Sequence, residues 1–299
     1  MKIGLICESH YYGSPEDKFL SGNGGLGLSS FYFAMKNIFN DCLIVKSHND
    51  LHSIDIVLIP NYHWQPHRDI WQNYQFREIC NNKNILCIFW SAEQILSPHF
   101  PWNVDLEYQI DKFNNNKRVV YDVNDAKVLK RSFSRIPISK EYEFLKINNV
   151  KRDKTDRIVF IGNLSLPAYQ RRVETLNELD KHIKYDIYPN RCISTTREYF
   201  DVMSQYKYVL NLHSTNFNGI TIRFYDALLM NSIPVQQVYS DTLEFFPEEK
   251  NYKNAIFFEN INELIEKLNS QTDFDETQVQ PWLENDLMKF FENEIGYNF

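Results

Sequence analysis

The stretch Asn218-Gly-Ile-Thr-Ile-Arg-Phe-Tyr-Asp-Ala-Leu-Leu-Met-Asn-Ser-Ile-Pro-Val235 decides the reading of the fold. Gly219 opens a loop, Thr221 to Met230 has helical spacing, and Ile233 to Val238 is an apolar run. Loop, helix and buried strand in that order is the unit from which a covered parallel sheet is wound. Arg223 and Asp226 stand three apart, so they share one helical face near the helix start. A carboxylate there can accept both hydroxyls of a ribose, and an arginine there can neutralise a diphosphate. The alternative is an intrahelical ion pair at the surface.

The same alternation extends in both directions. Before this stretch, Arg157 to Gly162, Tyr185 to Tyr188 and Tyr208 to Leu212 read as strands. Gln170 to Leu179 and Arg197 to Gln205 read as the helices between them. After it come a short strand, Ala255 to Phe258, a helix, Ile261 to Leu268, and a last amphipathic helix, Trp282 to Glu294. The first half repeats the pattern. Lys2 to Cys7, Leu43 to Val45, Ile54 to Pro60, Asn84 to Trp90 and Val119 to Tyr121 are apolar runs. Helices are expected at Leu28 to Phe39 and Trp71 to Cys80. Each half opens with a strand and a glycine loop, which predicts an α/β fold of two doubly wound, Rossmann-like domains. The polar stretch from Asn148 to Asp156 marks the boundary. The expected division is 1–148, 149–280, and a C-terminal helix at 281–299 that packs back on the first domain.

Composition bounds the function. The chain has 299 residues, 43% hydrophobic and 24% charged, with a net charge of −7. It is globular, and bulk charge does not hold it to a polyanion. Its five cysteines form no Cys-x-x-Cys pair, so a reducing, cytoplasmic setting is expected. No run approaches the ~20 apolar residues of a membrane span. One region departs from the balance: Lys117 to Arg157 holds twelve Lys and Arg against six Asp and Glu. Lys130, Arg131 and Arg135 within it are candidates for tracking a nucleic-acid backbone. An exposed basic linker is the plainer reading.

In open parallel sheets ligands bind at the carboxyl ends of strands. His10 follows the first strand, Glu93 the strand ending at Trp90, Gly162 the opener of the second domain, and His213 the run Tyr208 to Leu212. Gly22-Asn-Gly-Gly-Leu-Gly27 precedes a helix, so backbone N–H groups near Gly24 and Gly25 can hold a phosphate or a sugar hydroxyl. It is not a phosphate-binding Gly-Lys-Ser/Thr loop.

Residues 219 to 235 resemble the donor-nucleotide motif of glycosyltransferases with the GT-B fold, roughly E-A-L-A-x-G-x-x-P-V. Asp226 stands at the acid, Asn231 at the usual glycine, and Pro234-Val235 at the end. With Ile-Thr-Ile-Arg before the acid, the segment is similar to bacteriophage DNA glucosyltransferases, which modify hydroxymethylated bases. That resemblance implies two Rossmann-like domains facing each other across a cleft and a nucleotide-sugar donor of the UDP type. It implies Asp226 on the ribose and Arg223 on the donor. A second similarity, Ile158 to Arg172, implies a phosphate-binding loop in which Arg171 or Arg172 holds the diphosphate. Ser232-Ile-Pro-Val, the later Phe245-Phe-Pro and Asn260-Ile-Asn-Glu-Leu also resemble the α-1,3-fucosyltransferases.

Transfer to a hydroxyl with inversion requires a group that takes its proton. The order of elements places Glu93 in that role, with His10 as the alternative. His213 lies beside the donor site. The expectation is that a divalent metal is not required. The expected activity is sugar transfer to a hydroxymethylated base in duplex phage DNA, in the host cytoplasm. The alternatives are a glycan or lipid-linked saccharide acceptor, and a non-catalytic nucleotide-sugar-binding module.

Overall fold

The computed structural model describes residues 1–7, 27–39, 41–63, 65–91, 94–96, 102–135, 153–165, 167–189, 192–193, 195–214, 217–271, 273–275 and 284–297. The chain forms two compact units. The boundary expected at 148–149 lies outside the described residues.

In the first unit, six strands form one parallel sheet. They are β1 (Ile3–Ile6), β2 (Leu43–Val45), β3 (Ile56–Pro60), β4 (Leu86–Ser91), β5 (Asn116–Val120) and β6 (Ser132–Phe133), in the order β2-β1-β3-β4-β5-β6. The strands are almost continuously apolar because both faces are covered. Gly4 in β1 is needed for space: a Cβ there would stand 2.5 Å from Ile54 Cδ1 and 2.7 Å from Val45 Cγ2. One face packs Val57, Ile59, Cys87 and Phe89 against Trp71, Phe76 and Phe113.

The helices of this unit are α1 (Gly27–Ile38), α2 (Gln65–Trp71), α3 (Tyr74–Lys83), α4 (Trp102–Ile110) and α5 (Val123–Leu129). The single helix expected from Trp71 to Cys80 is therefore two. Asn73 breaks it, because its side-chain oxygen accepts from the N–H groups of Gln75 and Phe76 and starts a new helix. The chain's last described segment also belongs here. Helix Glu284–Phe290 runs on into a wider π turn, Phe291–Ile295, and ends at Gly296 with φ +74°. Phe290 packs on Trp90 with ring centroids 5.3 Å apart, and Phe291 on Phe39 at 4.8 Å. Lys117 pairs with Glu294, and Arg135 with Asp286.

In the second unit, β7 (Thr155–Gly162), β8 (Tyr185–Pro189), β9 (Tyr206–Asn211), β10 (Ile233–Gln237) and β11 (Ile256–Phe258) form a parallel sheet in the order β11-β10-β9-β7-β8. Its helices are α6 (Gln170–Leu179), α7 (Thr196–Ser204), α8 (Ile222–Leu229) and α9 (Ile261–Ser270). Leu176, Leu179 and Leu264 cover one face through Phe160, Leu210, Val235 and Phe258. Buried Phe224, Ala227 and Leu228 line the inner side of α8. Asn231 follows α8 at φ +52°, a left-handed position that glycine or asparagine adopts most readily. Lys154 closes two helix ends: its ammonium donates to Ser204 O (2.7 Å), Met230 O (2.8 Å) and Ser232 Oγ (3.1 Å).

Both sheets therefore share one winding. In sequence order each runs second, first, third, fourth, fifth, with a sixth short strand in the first unit. No helix among the described residues is long and apolar enough to cross a membrane.

Candidate functional site

In the second sheet the winding reverses between β7 and β9, and a crevice opens at their carboxyl ends. Gly162 and Asn163 leave one strand there, and Leu212 and His213 the other. Arg172 spans the gap: its Nε donates to Leu212 O (3.0 Å) and its Nη1 to Asn163 O (3.1 Å). The guanidinium also lies 4.4 Å from the Tyr169 ring centroid. Burial, with the neighbouring Arg223 charge, pulls Arg172 down to about 10.

Arg223 is the second arginine of the crevice. A Cβ on Gly162 would stand 3.0 Å from the Phe160 ring and 3.5 Å from Arg223 Nη2, which puts the guanidinium at the end of β7. Arg223 sits in the first turn of α8, the positive end of the helix dipole, where a cation is disfavoured. Thr221 precedes the helix in an extended conformation and makes no side-chain cap bond. An uncapped helix start carrying an arginine is poor helix design and good anion-binding design. Gly219, in the loop before it, is buried.

Behind Arg223 lies Asp226, wholly buried. Tyr199 of α7 donates to Asp226 Oδ2 at 2.8 Å, with the Arg223 guanidinium beside it. Burial raises the Asp226 carboxyl to about 7, although Tyr199 and Arg223 both oppose the rise. One oxygen is thus engaged, and the two-hydroxyl grip on a ribose expected from the sequence has only Oδ1 left. Around it the described residues leave several buried polar atoms without a hydrogen-bond partner: Asp226 Oδ1, Arg223 Nε, Thr221 Oγ1 and both side-chain polar atoms of Asn211. Each such group costs about 1–3 kcal/mol unless water or a ligand meets it.

His213 stacks on Tyr239 at 5.4 Å and 20°, and both its ring nitrogens lack partners. Burial holds it near 3, with Arg171 and Arg172 pushing the same way, so the ring is neutral. Arg171 donates to the Tyr239 hydroxyl and lies 4.6 Å from that ring's centroid. Beside it a groove of about 470 Å³ runs between α6 and the start of α9, bordered by Thr175, Gln237 and Asn260. The structure thus brings Gly162, Arg172, Arg223, Asp226 and His213 to one end of the second sheet. It adds Tyr199, which nothing in its local sequence announces.

His10, Glu93, Gly24 and Gly25 lie outside the described residues. In the first unit the corresponding crevice is flanked by the exit of β3, where Asn61 takes φ +46°. His63 follows, buried, with its Nε2 2.9 Å from Ser91 Oγ. Burial and Arg68 lower His63 to about 3. The sequence reading passed over His63, although it follows an apolar strand just as His213 does.

The basic surface expected from Lys130, Arg131 and Arg135 is not formed as expected. Arg135 is 9% exposed and paired with Asp286. Arg131 lies 3.6 Å from Glu107, which also holds Arg118. Lys130 ends α5 in a left-handed conformation. Internal carboxylates distant in sequence neutralise two of the three charges.

Residues 151–283 match the family model described as "Glycosyltransferase family 10 (fucosyltransferase) C-term". No curated protein matches the chain. The match covers most of the second unit and the residues of its candidate site. The chain is a glycosyltransferase built from two Rossmann-like domains, and its donor is a nucleotide sugar.

Proposed function

We propose that the chain moves a fucose-type 6-deoxysugar from a GDP-sugar to a hydroxyl of a saccharide acceptor. The observation that carries this reading is the meeting of Arg172 and Arg223 at the β7–β9 crevice, within the segment that matches the fucosyltransferase family. Two guanidinium groups face one another there with a single carboxylate, Asp226, close by. Such a pocket calls for a dianion, and a nucleoside diphosphate supplies it. The bond from the sugar C1 to the diphosphate breaks as the acceptor oxygen attacks C1. The leaving diphosphate gains charge, and Arg172 and Arg223 stabilise it as that charge develops. Glu93 of the first unit takes the acceptor proton in this reading, with His10 as the alternative. Neutral His213 offers hydrogen bonds to the donor, and the uncapped start of α8 after Gly219 presents its N–H groups. Arg171, held by Tyr239, borders the nucleoside side of the crevice.

The neutralised Arg131 and Arg135 favour a saccharide acceptor over duplex DNA. The buried thiols of Cys7, Cys42, Cys80 and Cys87 support a reducing, cytoplasmic setting.

The test is a thermal-shift and calorimetric series with GDP-fucose, GDP-mannose, UDP-glucose and UDP-galactose. At one hundred times its dissociation constant a bound donor adds roughly 2.7 kcal/mol of stability. GDP-fucose should give the largest shift, and Arg223→Met should abolish it. A shift with UDP-glucose alone, or turnover on hydroxymethylated duplex DNA with none on saccharides, overturns the reading.

A further inference from the structure

Asp226 has the composition of a ligand-binding carboxylate and the placement of a support. It is wholly buried. Its Oδ2 is held at 2.8 Å by the Tyr199 hydroxyl, and the Arg223 guanidinium lies beside the same hydroxyl. Arg223 in turn reaches forward, with Nη2 3.5 Å from where a Cβ of Gly162 would stand. The order from the interior outward is therefore carboxylate, phenol, guanidinium, strand end. We propose that Tyr199 and Asp226 are positioning residues that hold the Arg223 guanidinium against the end of β7, and that Asp226 does not touch the donor. This rests on the reading above, in which Arg223 meets the donor diphosphate.

Sequence and packing both fit the assignment. Asp226 and Arg223 are three residues apart on α8, and Tyr199 comes from the neighbouring α7, so two helices fix the arginine. Tyr199 is itself fixed, its ring 5.1 Å from that of Phe200 in an edge-on arrangement. A guanidinium on a long, flexible stem loses less freedom on binding when it is already tethered. The groups that face the Asp226 carboxyl are Tyr199 from α7 and Arg223 from α8. Arg172, on α6, lies beside Arg223.

The two roles open to Asp226 give opposite pH dependences. As a ribose ligand, its carboxylate gains hydroxyl donors when the donor binds. The ionised form is then favoured, a proton leaves, and affinity rises with pH. As a support behind Arg223, it gains a nearby dianion. Its proton is then favoured, one is taken up, and affinity falls with pH.

The experiment is calorimetry with GDP-fucose between pH 6 and pH 8, whose diphosphate diester does not titrate there. The native protein should bind several-fold more weakly at pH 8 than at pH 6, and Asp226→Asn should flatten that slope. Tyr199→Phe keeps the ring and removes the link, and should weaken the donor roughly five- to tenfold. It should add nothing in an Arg223→Met background. Affinity that rises with pH, or a slope that survives Asp226→Asn, overturns the proposal. So does equal donor binding by Tyr199→Phe and the native protein. If Tyr199→Phe does not fold, the sign of the native slope still decides. If Arg223→Met binds GDP-fucose like the native protein, the donor reading itself fails. If Arg223→Met loses binding but the slope rises with pH, only the positioning role falls.

Discussion

Asp226 carries a cost in the unliganded chain that pH should reveal. Its carboxyl sits near 7 because burial disfavours its charge, well above an unfolded carboxyl near 4. Between roughly pH 4 and 7 the folded chain keeps a proton that the unfolded chain has released. Stability from this group therefore falls as pH rises through that window. Asp226→Asn never ionises, so its unfolding free energy should exceed the native one at pH 8, by on the order of 1–3 kcal/mol, and converge with it near pH 4. Parallel melting curves for the two across this range would contradict the assignment. His213 offers a second residue-level test. His213→Phe keeps the stack on Tyr239 and removes both unpartnered nitrogens. Donor affinity should fall about tenfold if one nitrogen meets the donor, and thermal stability should not drop. Arg223 and Asp226 were legible in the sequence because a spacing of three is a local geometric fact. Tyr199 was not, since only the folding of α7 beside α8 brings it to them. Arg171 and Arg172 could not be told apart because they are consecutive. Each step along a helix turns about 100°, so which of the two enters the crevice depends on the phase of α6. Glu107 and Asp286 cancel charges on Arg131 and Arg135 from distant parts of the chain, which no count of local charge could show.

At the scale of elements, Lys154 joins what the sequence leaves separate. One ammonium caps the carboxyl ends of α7 and α8 and also meets Ser232. Those are the two helices that carry Tyr199, Arg223 and Asp226. Lys154→Met keeps the stem and removes the donor, leaving two carbonyls without their charged partner. Loss of charge-assisted bonds predicts destabilisation by roughly 1.5–3 kcal/mol, measurable by urea unfolding. An unchanged unfolding midpoint would show that solvent satisfies those carbonyls equally well. Strands were the most legible elements, because a run such as Ile56–Pro60 is apolar at every position. Helices under charged sequence were not. Val123–Leu129 lies inside the basic stretch and reads as linker, yet Asp122 caps it through its bond to the Asp125 N–H. Asn73 likewise divides one periodic run into two helices through a single side-chain oxygen.

Across the whole molecule the first unit depends on the last part of the chain. Leu287 and Phe291 are fully buried and Phe290 nearly so. At about 1.5–3 kcal/mol for each large apolar side chain, these three contribute an amount comparable to the 5–15 kcal/mol that holds a typical domain folded. Removing residues 284–299 should therefore unfold or loosen the first unit. The second unit should still bind GDP-fucose, since the donor crevice is built from residues 158 to 239. Calorimetry on the truncated chain would show both effects, and loss of donor binding would contradict this placement of the site.

The return of the tail also sets an order in time. A ribosome releases Met1 to Phe133 first, but that stretch lacks Leu287, Phe290 and Phe291, which complete its core. The sheet from Thr155 to Phe258 is synthesised before those residues and needs none of them. The half of the chain made second can thus close first. Until Glu284–Ile295 is made, Phe39 and Trp90 lack the rings of Phe291 and Phe290 that pack on them.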